Sequence, residues 1–375
     1  MQLVILTNDQ HLASICKDYW QQDENGKYLL KVQEIGAKYG MTTHKVSQCV
    51  KEHAYVWSES VCCNSCKVPY HFSSRIKYQE RNSYANSKCS SCLKYELKNI
   101  FLQKKSSLIQ RREIDENYKP DIATIDFKSS IYLLAAIHAL GNKDLNKINP
   151  LSDFPSYTLS PDPAFDRQII RHLINKHLLI ISLETSLRAI ELNQDNTATI
   201  SIEKSIFDLT LESEQLDKLI CRLTSKESLE KLKRSQEFIE LCEKIQMLKC
   251  LAFLEAKLQK HRLDFVPGEK TQNILKKCLK SFSVAQTYNF IWRAVQNAAT
   301  YYSQGNVSKR QAANTVVGHI SRTLEHAKTN DWNMKAFDRD HNQPRSLLSY
   351  VIFNTILGSD DGGFKQPLHE LLNGD

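Results

Sequence analysis

Two cysteine pairs with the same internal spacing constrain the fold of this chain more than any other feature. Two residues separate Cys63 from Cys66 and Cys89 from Cys92, and 22 residues lie between the pairs. This spacing lets both thiolates of a pair face one side of a tight turn, and two such pairs can surround one soft metal ion as a tetrahedron. The pattern predicts a closed four-sulfur site whose metal has a structural role, because no position is left for a reacting water.

The spacing of both pairs resembles that of zinc ribbons, which implies bound Zn²⁺. The segment between the pairs is longer than usual for such a site and could contain a β-hairpin or a short helix. Cys62 could pair with Cys66 in place of Cys63, and His71 is close enough in sequence to replace a thiolate. The favoured ligands are Cys63, Cys66, Cys89 and Cys92. Disulfides are the alternative, and we do not expect them because the chain has no secretory leader.

The residues just before the cysteine pairs, 32 to 51, carry the pattern of two short helices joined by a sharp turn. Ile35 and Tyr39 share one face of the first helix, and Val46 and Val50 share one face of the second. A glycine between the two helices can supply the left-handed conformation that a sharp turn needs. We therefore expect a compact helical hairpin directly upstream of the metal site.

The turn glycine of this hairpin, Gly40, has Gly36 four residues before it and Val46 six residues after it. This spacing resembles the helix-turn-helix family of DNA-binding modules, although that family often has Ala where Gly36 stands. The resemblance implies that the second helix enters the major groove with its outer face toward the bases. The residues of that face are Thr43, His44, Lys45, Ser47, Gln48 and Lys51. The alternative is a hairpin that only packs against the cysteine segment.

Positive charge is concentrated around the cysteine pairs. Residues 60 to 112 contain eleven Lys and Arg against two acidic residues, whereas the whole chain has a net charge of only +8. A protein that binds phosphate backbones gathers its cations on one surface, so double-stranded DNA is the expected partner and RNA an alternative. The expected phosphate contacts are Lys67, Arg75, Lys77 and Arg81. Aromatic residues among them, such as Tyr70 and Phe72, could stack on bases or form a small core.

The remainder of the chain alternates between helical and strand-like patterns, so the predicted fold is mainly α with small β elements. A helix over 164 to 177 leads into two runs of alternating, β-branched residues on either side of a turn, which is typical of a β-hairpin and of a winged-helix-like unit. From residue 213 the pattern is helical and is expected to bind a protein partner or a second copy. The predicted domains are a helix-turn-helix domain (1–58), a zinc ribbon with a basic helix (59–116), a winged-helix-like domain (126–212) and a helical domain (213–375).

Two short motifs could support nucleic-acid cleavage. Arg171 and His177 have a spacing similar to the motif of HEPN ribonucleases, in which the His can act as a base and the Arg can steady the phosphate. That family is all-helical, whereas this motif leads into predicted strands. Asp338, Asp340 and His341 could hold a divalent ion, but no second acidic motif accompanies them.

Nothing else in the sequence completes an active site. His319 and His326 share a helix face without a partner, and Walker, dinucleotide-binding and GxSxG motifs are absent. The favoured hypothesis is a non-enzymatic DNA-binding protein, either a transcriptional regulator or a targeting subunit of a larger prokaryotic defence, transposition or plasmid complex. A nucleic-acid-cleaving effector and a scaffold subunit that uses its zinc domain for protein contacts are the alternatives. We expect no membrane contact and a cytoplasmic location, since no apolar run approaches about 18 residues.

Overall fold

A computed structural model of the chain shows a mainly helical protein with three small antiparallel sheets among the residues it describes. The described residues are 1–84, 86–118, 120–156, 158–195, 197–305, 307–330, 332, 334–339, 345–361 and 363–373. The chain divides into two compact units, Met1–Gln103 (unit 1) and Lys104–Asp375 (unit 2). The predicted fold class, mainly α with small β elements, is confirmed at this level.

Unit 1 contains a two-stranded sheet, three helices that precede the segment of the two cysteine pairs (61–92, the cysteine segment), and further helices within and after that segment. Its elements are β1 (Gln2–Ile5), α1 (Gln10–Trp20), α2 (Val32–Tyr39), α3 (Thr43–His53), β2 (Ala54–Trp57), α4 (Arg75–Gln79) and the first part of α5 (Ser90–Glu116). β1 pairs with β2 in antiparallel register, with Leu3 opposite Val56. The sheet therefore joins the chain before α1 to the chain after α3. The helices α1, α2 and α3 pack against one another.

The turn between α2 and α3 depends on two glycines. Gly40 ends α2 with a φ of 65°, the left-handed region that glycine adopts without strain. A Cβ atom on Gly36 would lie 2.5 Å from the backbone carbonyl oxygen of Met41, which is too close for any side chain. Thr42 then caps α3 by accepting a hydrogen bond from the backbone N–H of Lys45. Glycine is thus required where helix-turn-helix modules often have Ala.

We expect Gly36→Ala to lower the free energy of unfolding of unit 1 by about 2 kcal/mol, because the backbone around Met41 must shift to admit the methyl group. Gly40→Ala is the matched comparison, since its Cβ would meet open space but its positive φ would cost about 1 kcal/mol. Hydrogen exchange of unit 1 peptides in the full chain measures both losses. A smaller loss for Gly36→Ala than for Gly40→Ala would contradict the close approach.

One hydrophobic core joins the helices of unit 1 to the cysteine segment. Trp20 of α1 lies edge-on to Tyr78 at 6.3 Å between ring centroids, and Tyr78 lies edge-on to Phe72 at 5.7 Å. These rings belong to the same buried cluster as the inward residues of α2 and α3. Residues 1–58 and the segment that follows them up to Tyr84, which were predicted to lie in separate domains (1–58 and 59–116), therefore share a core, and the aromatic residues of the cysteine segment contribute to it.

Unit 2 begins within α5 and contains the remaining helices and two small sheets. Its further elements are α6 (Phe127–Leu140), β3 (Lys147–Ile148), α7 (Pro163–Asn175), β4 (Leu179–Ile181), β5 (Ile190–Leu192), β6 (Ala198–Ile200), β7 (Phe207–Leu209), α8 (Ser213–Thr224), α9 (Lys226–Lys233), α10 (Gln236–Lys260), α11 (Glu269–Leu279), α12 (Val284–Ser303), α13 (Lys309–Thr329), α14 (Leu347–Tyr350) and α15 (Leu368–Asn373). A π-helical turn, Val351–Ile356, follows α14 directly.

The two alternating runs of the sequence pair with each other in two places. β4 pairs with β7, with Ile181 opposite Phe207, and β5 pairs with β6, with Ile190 opposite Ile200. β3 adds to the first sheet and gives it the order β3–β7–β4. The winged-helix-like domain over 126–212 stays a prediction, with α6 and α7 as its helices and this sheet beside them.

A single hydrophobic cluster extends through unit 2 from Leu108 to Leu368. α6 packs against α8 and α14, and α10 packs against α12, so helices from both sides of residue 212 bury their apolar faces together. The boundary predicted near residue 212 therefore does not separate two cores. Among the described residues, none of the helices combines the length and apolar content that crossing a bilayer requires.

Candidate metal centre and polar helix face

The four favoured cysteines come together in unit 1. The sulfur atoms of Cys63, Cys66, Cys89 and Cys92 all lie within 4.8 Å of one another. The Sγ atoms of Cys66 and Cys89, one from each pair, are 3.8 Å apart. No other group of three or more Cys, His, Asp or Glu side chains with this arrangement occurs in the described part of the chain. The cluster could hold a metal ion, as the spacing predicts.

The first pair lies on a tight turn within a short hairpin. The backbone N–H of Cys63 donates to the carbonyl oxygen of Val68 at 2.9 Å, and the N–H of Lys67 donates to the carbonyl of Cys63 at 3.0 Å. Lys67 has a φ of 61°, so a non-glycine residue closes the turn in the left-handed region. The turn buries Cys63 and leaves Cys66 exposed, and it presents both thiols to the second pair.

The second pair lies at the start of a helix, which differs from the two turns expected of a ribbon. Cys89 immediately precedes α5, and its Sγ accepts a hydrogen bond from the backbone N–H of Cys92 at 3.5 Å. The sulfur therefore occupies the position of a helix cap. α4 and a 3₁₀ turn, Glu80–Tyr84, fill part of the segment between the pairs.

Hydrogen bonds across the cluster hold the two pairs in register. The backbone N–H of Cys89 donates to the Sγ of Cys63 at 3.2 Å. The N–H of Asn64 donates to the carbonyl of Ser87 at 2.9 Å, and the hydroxyls of Tyr70 and Ser87 share a hydrogen bond of 2.8 Å. The position of the second pair is thus fixed by the first turn as well as by α5.

Two thiols of the cluster have pKa values that are shifted in opposite directions. Hydrogen bonds from the backbone N–H groups of Cys89 and Cys66 lower the pKa of Cys63 to about 6. Hydrogen bonds to the neighbouring sulfurs of Cys89 and Cys66 raise the pKa of Cys92 to about 12. Four sulfurs this close repel one another when ionised, and a bound divalent cation removes that repulsion. The arrangement therefore suits a cation in the centre.

The two alternative ligands, Cys62 and His71, have other partners. The thiol of Cys62 donates to the backbone carbonyl of Glu59 at 3.2 Å, and the ring of His71 stacks on that of Tyr55 at 4.1 Å. Neither side chain belongs to the group of ligand atoms within 4.8 Å. The structure thus brings together the four cysteines with two-residue spacings.

The outer face of α3 is polar and exposed. Val46, Cys49 and Val50 are buried against α1 and α2, and the residues between them point away from this core. The exposed residues are Thr43, His44, Lys45, Ser47, Gln48, Lys51 and Glu52. The amide of Gln48 donates to the carboxylate of Glu52 at 3.0 Å, one turn further along α3. All six residues predicted to face DNA therefore lie on one solvent-exposed surface.

The four predicted phosphate contacts separate into two groups. Lys67 and Lys77 are exposed. The guanidinium of Arg75 donates from Nε to the carbonyl of Tyr19 at 2.7 Å and from Nη1 to that of Leu30 at 2.8 Å, and it lies over the ring of Tyr19 at 4.5 Å. The half-buried Arg81 lies over the ring of Tyr78 at 4.6 Å and donates to the carbonyl of that residue. Both arginines are engaged within unit 1.

Comparisons of the chain with protein-family models, with curated proteins and with solved structures find no match. The resemblance to helix-turn-helix modules and zinc ribbons is therefore limited to the residues quoted for it. The function has to be inferred from the arrangement of side chains in each unit.

The candidate catalytic residues are not gathered into one site by the described structure. Arg171 is exposed on α7 and lines a cavity whose other residues do not include His177. His177 follows α7 with a φ of 55° and stacks on Tyr118 at 4.2 Å between ring centroids. Of the acidic cluster, Asp338 is exposed, while Asp340 and His341 lie outside the described residues.

The two histidines of α13 also have separate surroundings. The Nδ1 of His319 accepts a hydrogen bond from Arg322 at 3.1 Å, and burial together with this arginine lowers the pKa of His319. His326 lines a second cavity with Trp292 and Trp332. A shared metal or catalytic site for these histidines has no support in the described geometry.

Proposed function

We propose that unit 1 is a metal-stabilised module that binds double-stranded DNA, and that the protein acts as a transcriptional regulator or as a DNA-targeting subunit of a larger complex. The observation that carries this proposal is the outer face of α3. Seven polar side chains, six of them predicted DNA contacts and the seventh Glu52, stand on that face, opposite three buried residues and directly after a glycine turn. A helix with this division between faces can insert into the major groove without exposing its core.

The side chains of this face have the chemistry that base recognition requires. The amide of Gln48 can pair with the edge of an adenine, and Lys45 can donate to guanine or to a phosphate. Lys51, Lys67 and Lys77 are further exposed cations in unit 1 that suit phosphate contacts. Contact with an adenine requires the Gln48 amide to turn away from Glu52, the acidic residue of α3 to which it now donates.

The metal of this module is proposed to be Zn²⁺, because four thiolates in a closed cluster are the ligand set of structural zinc sites. Its role is to hold the start of α5 against the first cysteine turn. Since the cysteine segment contributes Phe72 and Tyr78 to the core beneath α3, metal binding also stabilises the helix that is proposed to read DNA. The metal has no part in catalysis in this proposal.

Binding of the full chain to duplex DNA at increasing salt concentrations tests the proposal. We expect the affinity to fall steeply with salt, and we expect Lys45→Ala and Lys51→Ala each to reduce the slope of log affinity against log salt by about one. Lys226→Ala is the matched control, because this exposed lysine of α9 carries the same charge but lies in unit 2. It should leave the slope unchanged.

Selection from random duplexes distinguishes base recognition from phosphate contact. Gln48→Ala should relax the preference at one base pair, a loss of about 1–3 kcal/mol, and leave the other positions unchanged. Salt-insensitive or undetectable DNA binding, together with a protein that co-purifies through unit 1, would instead support a scaffold subunit. Stronger binding to RNA than to the selected duplex would also contradict the proposal.

A further inference from the structure

Unit 2 contains a cavity of about 630 Å³ that neither the metal site nor the α3 face uses. It lies between the C-terminal half of α5, α7 and the β5–β6 hairpin, and its volume is in the range of small-molecule sites. Its apolar lining includes Ile174, Ile181, Ile200, Ile202 and Phe207. Ile181 and Phe207 are buried, whereas the other three isoleucines are half-buried.

Among the charged residues that line the cavity, one cation has no ion-pair partner in the described part of the chain. Arg111, Asp115 and Arg171 line the cavity. Asp115 is only 4% exposed, and its carboxylate accepts a hydrogen bond from the Nε of Arg111 at 3.1 Å, so these two charges form a pair. Arg171 has no ion pair among the described residues. The cavity therefore has one net positive charge beside an apolar surface.

We propose that this cavity binds a small molecule with a carboxylate group at one end and an apolar body. The carboxylate pairs with Arg171, whose planar guanidinium suits bidentate contact with two oxygens. The apolar body covers the half-buried isoleucines. Removal of both apolar surfaces from water contributes favourable free energy to binding. This site lies wholly within unit 2, and the inference does not depend on DNA binding by unit 1.

α7 itself supplies a matched control residue. Arg167 lies one turn before Arg171, is also exposed, and forms a salt bridge of 2.6 Å with Glu203. It is not a lining residue of the cavity. Replacing either arginine by Gln removes the same charge from the same helix, so a difference between the two variants reports on the cavity and not on the general charge of α7.

The experiment titrates the full chain with the fluorescent carboxylate 11-(dansylamino)undecanoic acid and then displaces it with decanoate or with 1-decanol. We expect one saturable site per chain, and we expect decanoate to compete about tenfold better than the uncharged decanol. Arg171→Gln should abolish most of that preference. Arg167→Gln should retain it.

A second variant tests the location of the site. Ala198 of β6 lines the cavity, and the indole of Ala198→Trp should occupy part of it and weaken probe binding, while circular dichroism reports whether the helices remain. Absence of saturable probe binding, equal effects of the two arginine variants, or full probe binding by a folded Ala198→Trp protein would overturn the proposal. Displacement of the probe by a 12-nucleotide oligothymidine, with Arg171→Gln weakening the oligonucleotide and not decanoate, would show a nucleic-acid site instead.

Discussion

We expect Cys63→Ser to abolish the metal binding proposed for the cysteine cluster and to lower the melting temperature of unit 1 by about 20 °C. A ligand that binds only the folded state at a thousand times its dissociation constant stabilises that state by about 4 kcal/mol, and each kcal/mol shifts the melting temperature of a domain of this size by about 4–8 °C. The buried Cys63 has a further role, because its sulfur accepts the backbone N–H of Cys89. Metal content by mass spectrometry and thermal unfolding measure both effects.

Cys62→Ser is the control for this prediction. Cys62 is adjacent in sequence, but its thiol donates to the carbonyl of Glu59 and lies outside the four-sulfur group. This variant should keep one metal ion per chain and the original melting temperature. Metal loss in Cys62→Ser, or full metal content in Cys63→Ser, would show that the ligand set is different. A chelator should lower the melting temperature of the original protein and not that of Cys63→Ser.

Arg75→Ala should lower the free energy of unfolding of unit 1 by about 3 kcal/mol. The guanidinium of Arg75 donates to the carbonyls of Tyr19 and Leu30 and lies between the rings of Tyr19 and Tyr28, with centroid distances of 4.5 and 4.1 Å. Hydrogen bonds to a charged group contribute about 1.5–3 kcal/mol, and a partly desolvated cation–π contact contributes about 1 kcal/mol. Removal of the side chain leaves two carbonyls without these donors.

Lys77→Ala separates the structural role of Arg75 from its charge. Both residues belong to α4, but Lys77 is exposed. We expect Lys77→Ala to leave the unfolding free energy within about 0.5 kcal/mol of the original and to weaken DNA binding at low salt. Equal stability losses in the two variants, measured by hydrogen exchange of unit 1 peptides, would refute the role assigned to Arg75.

The cluster of four cysteines could be predicted from the sequence because its determinants are local. A two-residue spacing places two sulfurs on the same side of a turn, and this holds for Cys63 and Cys66. The same spacing also fits the first turn of a helix, where Cys89 and Cys92 lie. Spacing alone does not distinguish these two geometries, which is why a second turn was expected. Which of the two geometries forms depends on the residues after Cys92, which continue as the helix α5.

The role of Arg75 could not be predicted, because its partners come from distant parts of the chain. Tyr19 and Leu30 lie 56 and 45 residues before it. No local sequence pattern indicates that their carbonyls accept hydrogen bonds from Arg75. Arg75 and Lys77 both belong to the basic stretch of residues 60–112, and no local pattern in the sequence distinguishes their roles. The packing of α1 against the cysteine segment places the guanidinium of Arg75 on the carbonyl of Tyr19, whereas Lys77 remains exposed.

The common core of unit 1 also limits how its parts can be exchanged between proteins. A graft that takes residues 1–58 alone would leave behind Tyr78, whose ring lies against Trp20, and Phe72, which packs against Tyr78. A graft of the cysteine segment alone would lose the carbonyls that hold Arg75. Recombination or protein engineering would therefore have to transfer the stretch from β1 to the first turns of α5 as one piece.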